Sequence, residues 1–454
     1  MAGAPRVPGC WFRWLGTFCI CTVRAVWPKG PILVATNKNS ERSHMPTISQ
    51  RAQTMPASPI RKLVPYAEAA QQRGTKVYFL NIGQPDIETP PAYWSAITEA
   101  QPKVLAYSHS AGVHSLRQAI ADYYQRIGQG ITTDQVIVTT GASEALNFVF
   151  AACLNPDDEV IIPEPFYANY NSFSIASSVK VRPLPTRIEE DFALPPIEAF
   201  EALITPRTKA ILICNPGNPT GILYSQAELD KLKAIALKHD LFLIADEVYR
   251  EFAYDGLPHH SVLSLAGAEQ HVIVTDSISK RFSACGARIG CVVSRNEAVM
   301  TAVMKLAQAR LSPPTLGQIG AEAVYGLPPS FYDGVAAEYA ARRDLMLDLL
   351  RRMDGVVVPP VNGAFYAMVQ LPVDDSEAFC QWMLESFAYE GQTLMMAPGG
   401  GFYSTPGHGR DEVRIAYVLN QDDLRQAMYC LQAGLAAYPQ RTAEQRGLLA
   451  KDLT

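Results

Sequence analysis

"KAILICNPGNPTG" (residues 209–221) runs into "ILYSQAELDKLKAIALKHD" (222–240) and then "LFLIAD" (241–246), and this succession decides the fold. An apolar run ends in a loop of prolines and glycines, a helical pattern follows, and a second apolar run answers the first. Runs rich in Ile, Leu and Val without polar alternation suit strands buried on both faces. The punctuation recurs outward in both directions: "QVIVTT" (135–140), "DEVIIP" (158–163), "VKVRPLP" (179–185), "HVIVTD" (271–276) and "RIGCVVS" (288–294), with helical stretches such as "SEALNFVFAACL" (143–154) between them. Alternating strand and helix predict an α/β unit with a mostly parallel sheet and right-handed crossovers. Beyond Arg295 the texture changes to long helical stretches, 296–311, 315–327 and 330–353. "VVVPP" (356–360), "GAFYAMVQLP" (363–372) and "EVRIAYV" (412–418) then read as strands of a smaller α+β unit. The expected division is an N-terminal extension (1–44), an arm with part of the small domain (45–92), a large domain (93–335), a small C-terminal domain (336–440) and a tail (441–454).

Composition narrows the function. The chain has 454 residues, 48% of them hydrophobic, enough for a large core, and its net charge of −5 offers no basic footprint for nucleic acid. Nine cysteines and eight histidines include no CxxC pair and no HExxH, so neither a disulfide framework nor a metal site is expected. Residues 1–44 differ from the rest: Arg6, Arg13, Arg24, Lys29, Lys38 and Arg42 stand against one acidic residue, Glu41. Arg13 and Arg24 interrupt the apolar part, which is too short for a membrane span. The segment reads as a targeting peptide or as non-native sequence ahead of a start at Met45. The expected location is cytoplasmic, or organellar or exported if the segment is a targeting signal.

Ligands of open parallel sheets sit beyond the carboxyl ends of the strands, so the residues at those ends carry the functional reading. After "QVIVTT" come Gly141, Ala142 and Ser143, which open a helix whose N-terminus favours an anion; the plain alternative is a turn with Ser143 as helix cap. After "KAILICN" come the amides of Asn215 and Asn218. "LFLIAD" ends in Asp246, with Tyr249 three residues on. "HVIVTD" leads to Ser277, Ser279 and Lys280, with Arg288 following. Singly, each is more often structural. Together they form a chemical set: a lysine for an aldehyde, a carboxylate for a pyridine nitrogen, an amide and a phenol for a ring oxygen, and serines, an arginine and helix-start amides for a phosphate. That inventory suits pyridoxal phosphate.

"NPGNPTG" (215–221), "ADEVY" (245–249) and "SISKRFSACGARIG" (277–290), in that order, resemble the class I/II aminotransferases of the fold-type-I pyridoxal-phosphate enzymes, nearest to the bacterial-type aspartate aminotransferases. The likeness extends over nearly everything after Ser58, including "LNIGQPD" (80–86), "YSHSAGVHSLRQAI" (107–120), "AARRD" (340–344) and "NGAFY" (362–366). It implies a large domain with a seven-stranded, mostly parallel sheet, a smaller α+β domain, and a homodimer with shared sites acting on an amino acid and a 2-oxo acid. By the same resemblance, Lys280 binds the cofactor and shuttles the proton, and Asp246 pairs with the ring nitrogen. Asn218 and Tyr249 bond the ring hydroxyl, and Tyr167 in "PEPFYANY", rather than Phe166, stacks on the ring. Ala142, Ser143, Ser277, Ser279 and Arg288 surround the phosphate, and Tyr107 reaches the phosphate of the neighbouring subunit. Arg414 grips the substrate α-carboxylate, with Gly83 and Asn218 beside it.

The substrate is less legible. Aspartate leads, with transfer to 2-oxoglutarate by a ping-pong route, but Gly286-Ala287 replaces the Gly-Trp of many relatives, and no secure arginine for a second carboxylate stands out. Arg310 and Arg61 are the candidates, and for both a structural ion pair is the preferred reading. Aromatic, alanine-type or methionine substrates, a lyase reaction on the same cofactor, and a non-enzymatic sensor domain are the alternatives.

Overall fold

The computed structural model describes residues 46–439, and the elements below all belong to the unit that starts at Ser49. The expectations for residues 1–44 and 441–454 lie outside the described residues. Strands are numbered along the chain. β1 (Lys76–Phe79) pairs later in the chain. β2 (Val136–Thr139), β3 (Glu159–Glu164), β4 (Lys180–Pro185), β5 (Thr208–Cys214), β6 (Phe242–Asp246), β7 (Val272–Ser277) and β8 (Gly290–Val293) form one seven-stranded sheet in the order β2-β8-β7-β6-β5-β3-β4. The central ladders are parallel and β8 runs antiparallel to both β2 and β7. β2, β3 and β7 are buried along their whole length, as runs without polar alternation require when helices cover both faces.

β9 (Tyr366–Gln370), β11 (Ala397–Pro398) and β12 (Glu412–Ala416) form a three-stranded antiparallel sheet, while β1 pairs in parallel with β10 (Gln392–Met395). "VVVPP" is no strand. It contributes one bridge, Val357 to Gln370, because Pro359 and Pro360 have no N–H to continue a ladder. The long helical reading after Arg295 becomes helices Glu297–Arg310, Thr315–Tyr325 and Pro329–Leu350. No helix among the described residues is long and apolar enough to cross a membrane.

Register places the strand ends together. Thr139 and Ser277 both pair with Gly290, and Cys214 pairs with Asp246, so the loops that follow β2, β5, β6 and β7 leave from one edge of the sheet. Helix Gly141–Cys153 begins directly after β2 with Thr140 as its cap, which corrects the reading of Ser143 as the cap: Ser143 sits in the first turn.

Candidate active site

At that edge lies a cavity of about 580 Å³. Its walls include Gly83, Ala142, Ser143, Tyr167, Asn218, Asp246, Tyr249, Ser277, Ser279, Lys280, Arg288 and Arg414, so the strand-end residues and the arginine of β12 converge although up to 331 positions separate them in the chain. Tyr107 does not line the cavity and is 80% exposed. Phe166 is buried in the core, whereas its neighbour Tyr167 faces the cavity.

The loop carrying Lys280 is pinned from below. Asp276 and Arg281 are fully buried and joined by two hydrogen bonds of 2.6 Å, and the Tyr124 hydroxyl donates to Asp276 at 3.2 Å. Removing one partner would strand a buried charge at a cost of about 3–5 kcal/mol, so the pair holds the intervening residues firmly. Lys280 Nζ donates to the Gly83 carbonyl at 2.7 Å and stands 3.7 Å from Cys285 Sγ, whose thiol donates to the Ser279 carbonyl at 3.1 Å. Gly83 has no room for a side chain: a Cβ there would lie 1.7 Å from the Tyr366 hydroxyl.

Asp246 ends β6 with little solvent exposure, and burial pushes its carboxyl up to about 6. The Tyr170 hydroxyl donates to its Oδ2 at 2.9 Å and, with the Val248 amide and the Lys280 charge, holds the pKa below what burial alone would give. Asn218 Oδ1 accepts from Arg414 Nη1 at 2.9 Å. The Tyr249 and Tyr366 hydroxyls are 2.9 Å apart. Asn215, grouped with Asn218 by its loop, is structural: its Nδ2 donates to the His260 carbonyl and its Oδ1 accepts from the Tyr224 amide.

Across the cavity, helix Gly141–Cys153 presents its first turn, whose amides have no acceptor inside the helix. Arg288, in a left-handed conformation (φ 55°), donates to the carbonyls of Cys285 (3.1 Å) and Thr140 (3.4 Å). Gly141 (φ 77°) lets that guanidinium in, since a Cβ there would stand 2.4 Å from Arg288 Nη2. Ser277 and Ser279 complete this corner.

Arg414 is 1% exposed, packed with its guanidinium 4.5 Å from the Tyr366 ring centroid and 4.8 Å from that of Phe402. It donates to Asn218 and to the Asn81 carbonyl, and among the described residues its Nε has no partner and no carboxylate pairs with it. Burial pulls its pKa down. The two candidates for a second carboxylate diverge. Arg310 is held by Glu144 (2.8 Å) and the carbonyls of Ser110 and Val138, away from the cavity, which is the ion pair expected of it. Arg61 lines the cavity, is exposed, and its guanidinium forms neither an ion pair nor a hydrogen bond with a described residue, so the ion-pair reading is corrected there.

Sequence reasoning assigned no role to three residues found here: Tyr366, Tyr170 and Cys285. Each stood inside a quoted motif; Tyr366 and Tyr170 meet Tyr249 and Asp246 only when distant segments come together, whereas Cys285 contacts Ser279 and Lys280 within its own loop. The donor set fits pyridoxal phosphate: a lysine amine for its aldehyde, a buried carboxylate for its ring nitrogen, and an arginine, two serines and open helix amides for its phosphate.

Residues 75–429 match the family model for aminotransferase class I and II. A probable aspartate/prephenate aminotransferase of Thermus aquaticus is 33% identical over 396 residues, covering 84% of this chain and 97% of that one. An arginine–pyruvate transaminase of Pseudomonas aeruginosa is 33% identical over 376 residues, covering 82% and 92%. The structure of the Thermus thermophilus aspartate aminotransferase with maleate superposes with a TM-score of 0.78 at 29% identity, over 86% of this chain and all of that one. With cavity, donor set and likeness in agreement, the chain belongs to the class I and II aminotransferases and is a pyridoxal-phosphate-dependent transaminase of the fold-type-I architecture.

Proposed function

We propose that the enzyme moves the amino group of a dicarboxylic amino acid, aspartate first, to 2-oxoglutarate by a ping-pong route. The observation that carries this reading is Arg414. A guanidinium that is almost fully buried without a carboxylate partner is costly, and an incoming α-carboxylate is the anion that offsets it, with planar bidentate geometry to suit. The names of the Thermus relatives, and the maleate of one of them, a dicarboxylate, favour an acidic substrate.

Pyridoxal phosphate, when bound, supplies an aldehyde for the amino group and an electron-accepting ring. The chain's own residues divide the remaining work. Arg414 orients the substrate by its α-carboxylate, with Gly83 and Asn218 alongside. Lys280 Nζ would hold the cofactor's aldehyde carbon and, as a free amine, would take the α-proton as general base and return it as general acid. Asp246 would keep a proton on the ring nitrogen, Asn218 and Tyr249 would hold the ring hydroxyl oxygen, and Tyr167 would pack against the ring. Ala142, Ser143, Ser277, Ser279 and Arg288 hold the phosphate. Tyr107, exposed beside Val104 and Leu105, suits a role across a homodimer interface, at the partner's phosphate. Residues 93–335 and 336–440 serve as large and small domains flanking the cavity.

Steady-state rates at several fixed aspartate concentrations, with 2-oxoglutarate varied, test the route. Parallel double-reciprocal lines are expected, because the first product leaves before the second substrate binds. Intersecting lines, or ammonia released without an oxo-acid acceptor, contradict it.

A further inference from the structure

We propose that Tyr366 is a positioning residue of the reaction, its hydroxyl aiming the Tyr249 phenol and its ring bracing Arg414; the inference rests on the aminotransferase reading above and extends it to a residue outside the set that would hold cofactor and substrate.

The strand register puts Tyr366 where it can serve both neighbours. In the pairing of β9 with β12, Tyr366 stands opposite Ala416 and Met368 opposite Arg414. Side chains alternate between faces, so Tyr366 and Arg414 are diagonal neighbours on one face, a spacing that an aromatic ring spans. The ring centroid is accordingly 4.5 Å from the Arg414 guanidinium. The same ring meets that of Tyr249 edge-on, with centroids 5.5 Å apart and planes at 85°, and the two hydroxyls are 2.9 Å apart.

The residue is fixed in this place. It is 2% exposed. Two positions earlier, Ala364 (φ 56°) donates its amide to the Phe252 carbonyl at 2.8 Å, and its carbonyl accepts from the Tyr417 hydroxyl at 3.0 Å. The Tyr366 carbonyl packs on Gly221 so closely that a Cβ there would lie 2.6 Å away. Its hydroxyl occupies the space a side chain at Gly83 would need, and the Gly83 carbonyl accepts from Lys280. One side chain therefore adjoins the phenol that would hold the ring oxygen, the arginine that would hold the α-carboxylate and the glycine that receives the lysine.

A count of protons gives the bond between the phenols its direction. A phenol has one proton to donate. With that of Tyr249 directed at the cofactor's ring oxygen, as proposed above, the proton between the two hydroxyls comes from Tyr366. Burial pushes the Tyr249 phenol well above its ordinary pKa, so it stays a donor. A phenol that accepts a hydrogen bond donates more strongly in turn. That would stabilise negative charge on the ring oxygen and loosen a proton on the nearby Lys280 nitrogen. The ring has a separate part: it gives the buried Arg414 guanidinium an electron-rich face in place of water.

The test follows the visible cofactor band against pH in wild type, Tyr366→Phe, Tyr249→Phe and the double variant, and measures KM for L-aspartate in wild type, Tyr366→Phe and Tyr366→Leu. Tyr366→Phe is expected to raise the pH midpoint of the band by about 0.3–1 unit, the scale on which one hydrogen bond in a chain is felt. In the Tyr249→Phe background the same substitution should move it by no more than about 0.1 unit, because the link to the ring oxygen is already cut. KM should stay within about twofold in Tyr366→Phe, which keeps the ring, and rise roughly 3- to 30-fold in Tyr366→Leu, which does not. An unmoved or lowered midpoint in Tyr366→Phe, an equal shift with and without the Tyr249 hydroxyl, or the same KM in the Phe and Leu variants overturns the proposal while the proposed function stands. A wild type that titrates but does not use L-aspartate overturns the proposed substrate and leaves the midpoints to decide on Tyr366. A wild type with no lysine-dependent band overturns both.

Discussion

Lys280→Ala is expected to lower transamination by about 10⁴-fold or more while leaving the fold unchanged. Positioned proton transfer alone contributes roughly 10²–10⁴-fold, and this variant also loses the covalent hold on the cofactor. The side chain is dispensable structurally. Its amine touches one carbonyl and one thiol at the cavity wall, while the loop around it is fixed by the buried pair of Asp276 and Arg281, which the substitution does not touch. Oxo-acid formation assayed beside the far-ultraviolet circular dichroism of the same sample separates the two effects. A folded variant retaining more than a tenth of the wild-type rate contradicts the role given to Lys280.

Asp246→Asn is expected to cost roughly 10²–10³-fold in turnover, the scale on which removing one preorganised electrostatic partner is felt. A neutral amide in that position cannot balance a protonated ring nitrogen. The same substitution should have an opposite effect on the stability of the cofactor-free protein. Burial raises the Asp246 carboxyl from 3.8 to about 6. Its contribution to stability is therefore fully present below pH 4 and is lost as pH rises through 6, by roughly 3 kcal/mol in total. The asparagine variant has no such loss. Thermal unfolding of both cofactor-free proteins at pH 4 and pH 8 should show the variant gaining on wild type at the higher pH. Curves that keep the same spacing at both pH values contradict the assigned cause. With the cofactor held as proposed, its ring nitrogen would give the carboxylate a partner and offset that cost.

The large sheet was legible because strands such as β2, β3 and β7 are buried on both faces and so announce themselves as unbroken apolar runs, and because β2, β5 and β7 end in segments rich in Gly, Pro, Asn or Ser. That is also why Asn218, Asp246, Lys280 and Arg288 could be read: the topology of a parallel sheet gathers strand ends at one edge, and these residues stand at those ends. The smaller sheets were harder. β1 and β10 pair across more than 300 residues with nothing local to mark the register, and "VVVPP" carried strand-forming residues into prolines that cannot extend a ladder. Tyr170 and Tyr366 owe their positions to contacts with Asp246 and Tyr249 made by folding, which no spacing along the chain encodes. Arg61 was misjudged for a related reason. Whether an arginine on an arm finds an acidic partner depends on where the arm docks, and here Arg61 lines the cavity, with no ion pair to a described residue.

The measurement that bears most directly on the account is the visible absorbance of the purified protein, supplied with pyridoxal phosphate, as L-aspartate and then 2-oxoglutarate are added. The account predicts a cofactor band in wild type that L-aspartate bleaches and 2-oxoglutarate restores, with neither change in Lys280→Ala. A band indifferent to L-aspartate yet responsive to other amino acids would contradict the dicarboxylic substrate, and the absence of a lysine-dependent band would contradict the site itself.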